Sequence, residues 1–185
     1  KRNEDYVYVN GRGVRDSWTK DRFSPDALAR GMLVSVADGV GGKPGGSAAS
    51  MMVSQAMGEI LLGLPPGLGR VELVEQARSA AIHVNTRLLA GTGDQTIGAT
   101  TYTAVFMVGN RCIYLHAGDS RLYVLRGARL QQVSRDHSLR ELMGDPRIPG
   151  NIIANCFGSA EEFYVDAVRL DPCDADLYLL CSDGL

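Results

Sequence analysis

Apolar positions along the chain follow two different spacings, and the changes of spacing divide it into elements. The alternating run Tyr6-Val7-Tyr8-Val9 predicts an opening strand, residues 12–29 read as a polar, charged loop, and residues 31–37 predict a second strand. From residue 46 to 62 the apolar side chains of Ala48, Met51, Met52, Ala56 and Ile60 recur at helical intervals, with Ser47 placed to cap the first turn. Leu64-Pro65-Pro66-Gly67 ends that helix. A second helix is expected over about residues 71–89, with Leu73, Val74, Ala77, Ala80, Ala81, Val84 and Leu88 on one stripe.

The period changes again after Gly98. Residues 101–108 form a β-prone run, Gly109-Asn110-Arg111 reverses the chain, and residues 112–117, 120–126 and 129–133 read as strands of one antiparallel meander. A short helix over 138–143, a proline-containing loop over 145–150 and strands over 163–170 and 177–182 complete the pattern. Helices in one block and strands in another predict an α+β fold. With 185 residues and 45% hydrophobic composition, the chain is expected to form a single domain, 1–185.

Charge narrows the possible partners. The formal net charge is −2 and no long basic run occurs, which gives no support for nucleic acid as a partner. No apolar stretch approaches the ~20 residues needed to span a bilayer, so no membrane segment is expected. Cys112, Cys156, Cys173 and Cys181 show no C-x-x-C pair and no disulfide-scaffold spacing, which fits a reducing, cytoplasmic setting. The glycine loop after Asp38 fails as a nucleotide motif. A phosphate loop would need Gly at Ala37 and Ser or Thr at Pro44, and a dinucleotide fingerprint would need Gly at Pro44. His83, His116 and His137 have no zinc-ligand spacing, and there is no G-x-S-x-G elbow.

What remains is a set of acids at strand ends. Asp38 closes one apolar strand and opens Gly39-Val40-Gly41-Gly42; Asp183-Gly184 closes another. Glu4-Asp5 precedes the first strand and Asp119 follows residues 112–117. A carboxylate at the end of a buried strand must be paired, hydrogen-bonded or metal-bound. Hard oxygen donors without clustered His or Cys suit magnesium or manganese. Plainer readings stand beside this one: Asp-Gly is a favoured turn pair, Asp119 has Arg121 within reach as an ion-pair partner, Glu4 has Lys1, and His137 reads as a loop anchor.

Arg2-Asn3-Glu4-Asp5, Asp38-Gly39-Val40-Gly41-Gly42, Gly98-Ala99-Thr100-Thr101, Gly118-Asp119-Ser120-Arg121, Asp136-His137-Ser138 and Cys181-Ser182-Asp183-Gly184-Leu185 stand in the order and spacing of the metal-dependent protein phosphatases of type 2C. The chain resembles the compact bacterial members of that family. The resemblance implies a four-layer α/β/β/α sandwich, two antiparallel sheets flanked by helices, with a dinuclear Mg2+ or Mn2+ site at one edge. Asp38 would bridge both ions, Gly39 would offer its carbonyl to one, and Asp183 would bind the other. Asp5 and Glu4 would hold metal-bound waters, and Asp119 would bind a third, weaker ion with Asp183. The implied reaction is attack of a metal-activated bridging hydroxide on phosphoserine or phosphothreonine. The expected partner is a phosphorylated protein substrate of a bacterial serine/threonine kinase, the expected state a monomer.

Some family features are not in the sequence. The last metal-binding Asp and the upstream phosphate-gripping Arg have no counterpart between Lys1 and Leu185, which reads as truncation at the C-terminus and a cut beside the first box. A catalytically impaired family member that acts as a regulatory or partner-binding scaffold is the alternative reading. Lys43 and Asn155 also replace residues common in bacterial relatives.

Overall fold

The structure, a computed structural model, describes residues 3–17, 20, 22–40, 45–91, 98–159 and 162–183. Nine strands form two sheets, both antiparallel. The larger sheet has the order β2-β1-β3-β4-β5-β8, built from β1 (Tyr6–Val9), β2 (Arg12–Val14), β3 (Met32–Ala37), β4 (Tyr102–Val108), β5 (Arg111–Ala117) and β8 (Asp166–Leu170). The smaller has the order β7-β6-β9, from β6 (Arg121–Arg126), β7 (Arg129–Gln132) and β9 (Leu177–Cys181). The α+β class with two antiparallel sheets is as expected.

Helices α2 (Gly46–Leu62) and α3 (Arg70–Ala90) pack side by side on the outer face of the larger sheet. Their small and aliphatic stripe, including Val53, Met57, Leu61, Leu73 and Val84, meets Leu33, Phe106 and Leu115 from the strands. Complete burial of each such aliphatic side chain contributes ~1.5–3 kcal/mol, which makes this layer the main core. A second, smaller core lies between the sheets, where Val105, Cys112 and Tyr114 meet Leu122 and Leu180. Burial pushes the Cys112 thiol up to about 12, so it behaves as an apolar filler rather than a nucleophile. Among the described residues no helix packs substantially against the outer face of the smaller sheet. No helix among them is long and apolar enough to cross a membrane.

Three local expectations change. The stretch 12–29 contains β2 and a short helix, α1 (Pro25–Arg30), whose Ser24 hydroxyl caps the Ala27 amide at 3.2 Å. Helix α2 has Gly45 at its N-cap position and no side-chain cap; Ser47 lies within its first turn, where its hydroxyl accepts from Arg15. The run 112–133 is not one meander: the chain leaves the larger sheet after Ala117, turns at Gly118 with φ +117°, and enters the smaller sheet as β6. Strand alternation continues across that step, and only the positive φ of the glycine marks it. The crossing sets Asp119 at the seam between the sheets.

Candidate metal centre

Asp38 extends β3 by one residue into the seam, and the β4 approach fixes its backbone from both sides. Its N–H donates to the Thr101 hydroxyl at 3.0 Å, and its carbonyl accepts from the Thr101 N–H at 2.8 Å and the Thr100 hydroxyl at 2.9 Å. With the main chain satisfied, the carboxyl is left to face the cleft. Gly39 lies so close to the start of α2 that an added Cβ would come within 2.5 Å of the Gly46 backbone. The Gly39 amide donates to the Glu4 carbonyl at 3.3 Å, and Val40 N–H donates to Ala99 O at 2.9 Å. Neither bond uses the Gly39 carbonyl.

Glu4 and Asp5 lie just before β1, the strand paired with β3. The Ser50 hydroxyl of α2 donates to the Glu4 carbonyl at 2.6 Å, and Arg15 reaches across to the Asp5 carbonyl at 2.9 Å, the Ser47 carbonyl at 2.8 Å and Ser50 Oγ at 3.0 Å. One guanidinium therefore joins β2, the acidic segment and the first turn of α2. The Asp5 carboxylate accepts from the Ser182 hydroxyl at 3.2 Å, which ties the start of the described chain to the segment after β9.

Glu4, Asp38, Gly39, Asp119 and Asp183 line one cleft of about 660 Å³. Asp5 is near enough to Asp38 for its carboxyl to raise the Asp38 pKa. All six predicted site residues, drawn from four distant stretches of sequence, thus meet at one edge of the two sheets. Burial, the contact with Asp5 and the charges of Asp5, Asp183 and Asp119 push Asp38 up to about 8. Asp119 is raised as well, by burial and then by Asp183. Among the described residues none of Asp5, Asp38, Asp119 and Asp183 has an ion-pair partner. The candidate partner of Asp119 is engaged elsewhere, because Arg121 makes a two-pronged pair with Asp136 at 2.6 Å. Lys1, the plain partner for Glu4, lies outside the described residues.

No three acidic, His or Cys side chains among the described residues stand as a ready-made ligand cage. The donors are instead spread around an open cleft, which suits small hard cations that keep several waters and need one or two carboxylates each. A buried carboxyl such as Asp38, whose pKa burial and neighbouring acids raise without a cation to offset them, is the chemistry a divalent cation relieves. The residues present fit magnesium or manganese.

His137 is the loop anchor that the sequence suggested. Its Nδ1 accepts from Asn155 Nδ2 at 2.8 Å and the Gly118 amide at 3.4 Å, so the ring proton sits on Nε2, which donates to Asp166 at 3.1 Å. The His137 amide donates to Gly118 O at 2.7 Å, so backbone and ring together hold the turn that precedes Asp119. Arg15, Ser50 and Thr101 are the supporting residues that motif reading passed over. Their side chains act on backbone groups far away in sequence, and no spacing rule reports such a contact. Thr101 stood within a recognised box, and its place beside a buried acid was the available signal.

Comparison with known proteins gives a consistent family. Residues 11–185 match the family model for "Protein phosphatase 2C". The serine/threonine protein phosphatase PstP of Mycobacterium tuberculosis is 31% identical over 197 residues, a match covering 99% of this chain and 33% of the relative, so the chain spans about a third of that protein's length. Among solved structures, PppA of Pseudomonas aeruginosa, described as a key regulatory component of its T6SS, superposes with a TM-score of 0.69 at 29% identity, over 100% of this chain and 79% of that one. A PstP catalytic domain in complex with two manganese ions superposes with a TM-score of 0.65 at 25% identity, over 98% of this chain and 79% of that one.

Proposed function

Because the chain belongs to the protein phosphatase 2C family, we propose that it is a serine/threonine phosphoprotein phosphatase whose acid cleft holds two Mn2+ or Mg2+ ions. The convergence of Asp38, Asp119 and Asp183 without ion-pair partners carries this reading. The manganese pair bound by the similar PstP domain supports the choice of metal. Asp38 and the Gly39 carbonyl would hold the ions together with Asp183, and Asp119 would contribute to a third position. When bound, the cations supply a hydroxide nucleophile from water near neutral pH and offset charge on the phosphoryl oxygens. Glu4 and Asp5 would orient the hydrating waters. Thr100 and Thr101 keep the Asp38 backbone fixed, so its carboxylate needs little reorganisation. Phosphorylated proteins, made by a bacterial serine/threonine kinase, are the substrates this reading implies. The scaffold alternative gains no separate support from the arrangement of the acids.

The test is hydrolysis of a phosphothreonine peptide and of p-nitrophenyl phosphate with and without chelator. Chelation is expected to abolish both activities and manganese to restore them. Hydrolysis that persists at full rate in chelator contradicts the mechanism.

A further inference from the structure

A second cavity, of about 260 Å³, adjoins the acid cleft and shares Asp119, Asn151 and Asp183 with it. Its other charged lining residues include Arg121, Asp136, Arg140 and Glu141. Most of these charges cancel locally. Arg121 is bound to Asp136, and Glu141 is bound to Arg135 at 3.0 Å. Asp119 and Asp183 belong to the metal site proposed above. The remaining charge is Arg140, which has no ion pair among the described residues.

Arg140 is also held in place. It lies on the short helix α4 (Leu139–Met143), whose Ser138 hydroxyl caps the Glu141 amide at 3.3 Å. Leu139 N–H donates to Ile152 O at 2.7 Å, and a bridge between Ser138 and Ile153 closes the arm at its base. The Arg140 Nε donates to Ile148 O at 2.6 Å, which spends one edge of the guanidinium on the returning loop. The guanidinium lies against Gly150, where an added Cβ would sit 3.1 Å from Nη1 and 3.2 Å from Cζ. A loop that folds back to seat a guanidinium, and leaves its outer nitrogens without a carboxylate, presents a preorganised anion receptor.

We propose that Arg140 is a specificity-determining residue that binds an acidic side chain of the substrate peptide, one or two residues from the phosphorylated position. This rests on the phosphatase reading, because the phosphoryl group must occupy the neighbouring acid cleft. The shared lining places the two sites side by side, and an extended peptide advances ~3.3 Å per residue, so a near neighbour of the phosphoresidue reaches the second cavity. Two charge-assisted hydrogen bonds from a forked guanidinium fit a carboxylate better than they fit a neutral amide.

The experiment compares two phosphothreonine peptides that differ only in Asp or Asn at the positions flanking the phosphoresidue, with p-nitrophenyl phosphate as a flank-free substrate. The protein is expected to favour the Asp peptides by at least about fivefold in kcat/KM, mainly through KM. Arg140→Gln is expected to bring that ratio to about one, and Arg140→Lys to keep part of it. A wild-type ratio of one, or a ratio that Arg140→Gln leaves intact, overturns the assignment, as does an equal loss on both peptides. A protein that hydrolyses p-nitrophenyl phosphate and both peptides equally retains the phosphatase reading and loses only this one. A protein that hydrolyses none of the three loses both.

Discussion

The chemistry of individual side chains at the seam is governed by burial and then by repulsion. Burial, and after it the neighbouring Asp5, Asp183 and Asp119, raise the pKa of Asp38, so the metal-free protein carries a cost that disappears if the ionisable group is removed. Asp38→Asn is expected to abolish phosphatase activity and, in chelator, to raise stability by on the order of 1 kcal/mol, read as a higher Tm. A loss of stability instead would mean that the carboxylate is used structurally. Thr101→Val tests the support of that acid, because it strands the Asp38 amide and the Ser120 hydroxyl, which lies 2.7 Å from Thr101 Oγ1. A cost of about 1–3 kcal/mol is expected for this change. Residue-level reading from sequence worked where chemistry is carried by residue type and order, as for the acids after strands. It missed Arg15 and Ser50 because the bonds that tie them to the acidic segment end on the Glu4 and Asp5 carbonyls, and a carbonyl leaves no signature in sequence.

Between elements, small polar contacts fix the seam. Arg15 joins the acidic segment before β1 to the first turn of α2, so Arg15→Met is expected to loosen Glu4 and Asp5 together. Weaker manganese binding by calorimetry, at a similar helix content by circular dichroism, would show this. Thr103 of β4, His116 of β5 and the backbone before Asp136 form a second junction. His116 is fully buried, with Nδ1 2.9 Å from the Thr103 hydroxyl and Nε2 2.9 Å from the Arg135 carbonyl. Burial, and then the neighbouring His137, lower its pKa from 6.5 to about 4. The unfolded chain therefore binds the proton first, and stability present above pH 6.5 declines as the pH falls toward 4. The loss saturates at on the order of 3 kcal/mol. Denaturant titrations across that range, with His116→Asn as control, measure it; the same slope in the variant would assign the loss to other groups. Strand and helix positions were largely legible from periodicity. The division of residues 112–133 between two sheets was not, since β5 and β6 share one alternating pattern and only Gly118 separates them.

At the scale of the whole molecule, the site exists only when the two sheets are assembled. Glu4 and Asp5, Asp38 and Gly39, Asp119, and Asp183 come from four separated stretches, and Ser182 to Asp5 is the contact that closes the set across 177 residues. The ordered boxes announced which acids belong together, but their common edge required the sheet packing to be known. A ligand that binds only this assembled state stabilises it by mass action. Manganese at 100 times its dissociation constant is expected to add about 2.7 kcal/mol, visible as a rise in Tm that Asp38→Asn suppresses. Calcium, which favours a larger shell of protein oxygens, is expected to raise it less.

The most direct measurement is anomalous diffraction from crystals grown with manganese. Two peaks in the cleft, one touching both Asp38 and the Gly39 carbonyl and one shared by Asp38 and Asp183, are the predicted result. A fully active protein whose manganese peaks lie away from both Asp38 and Asp183 would contradict the account.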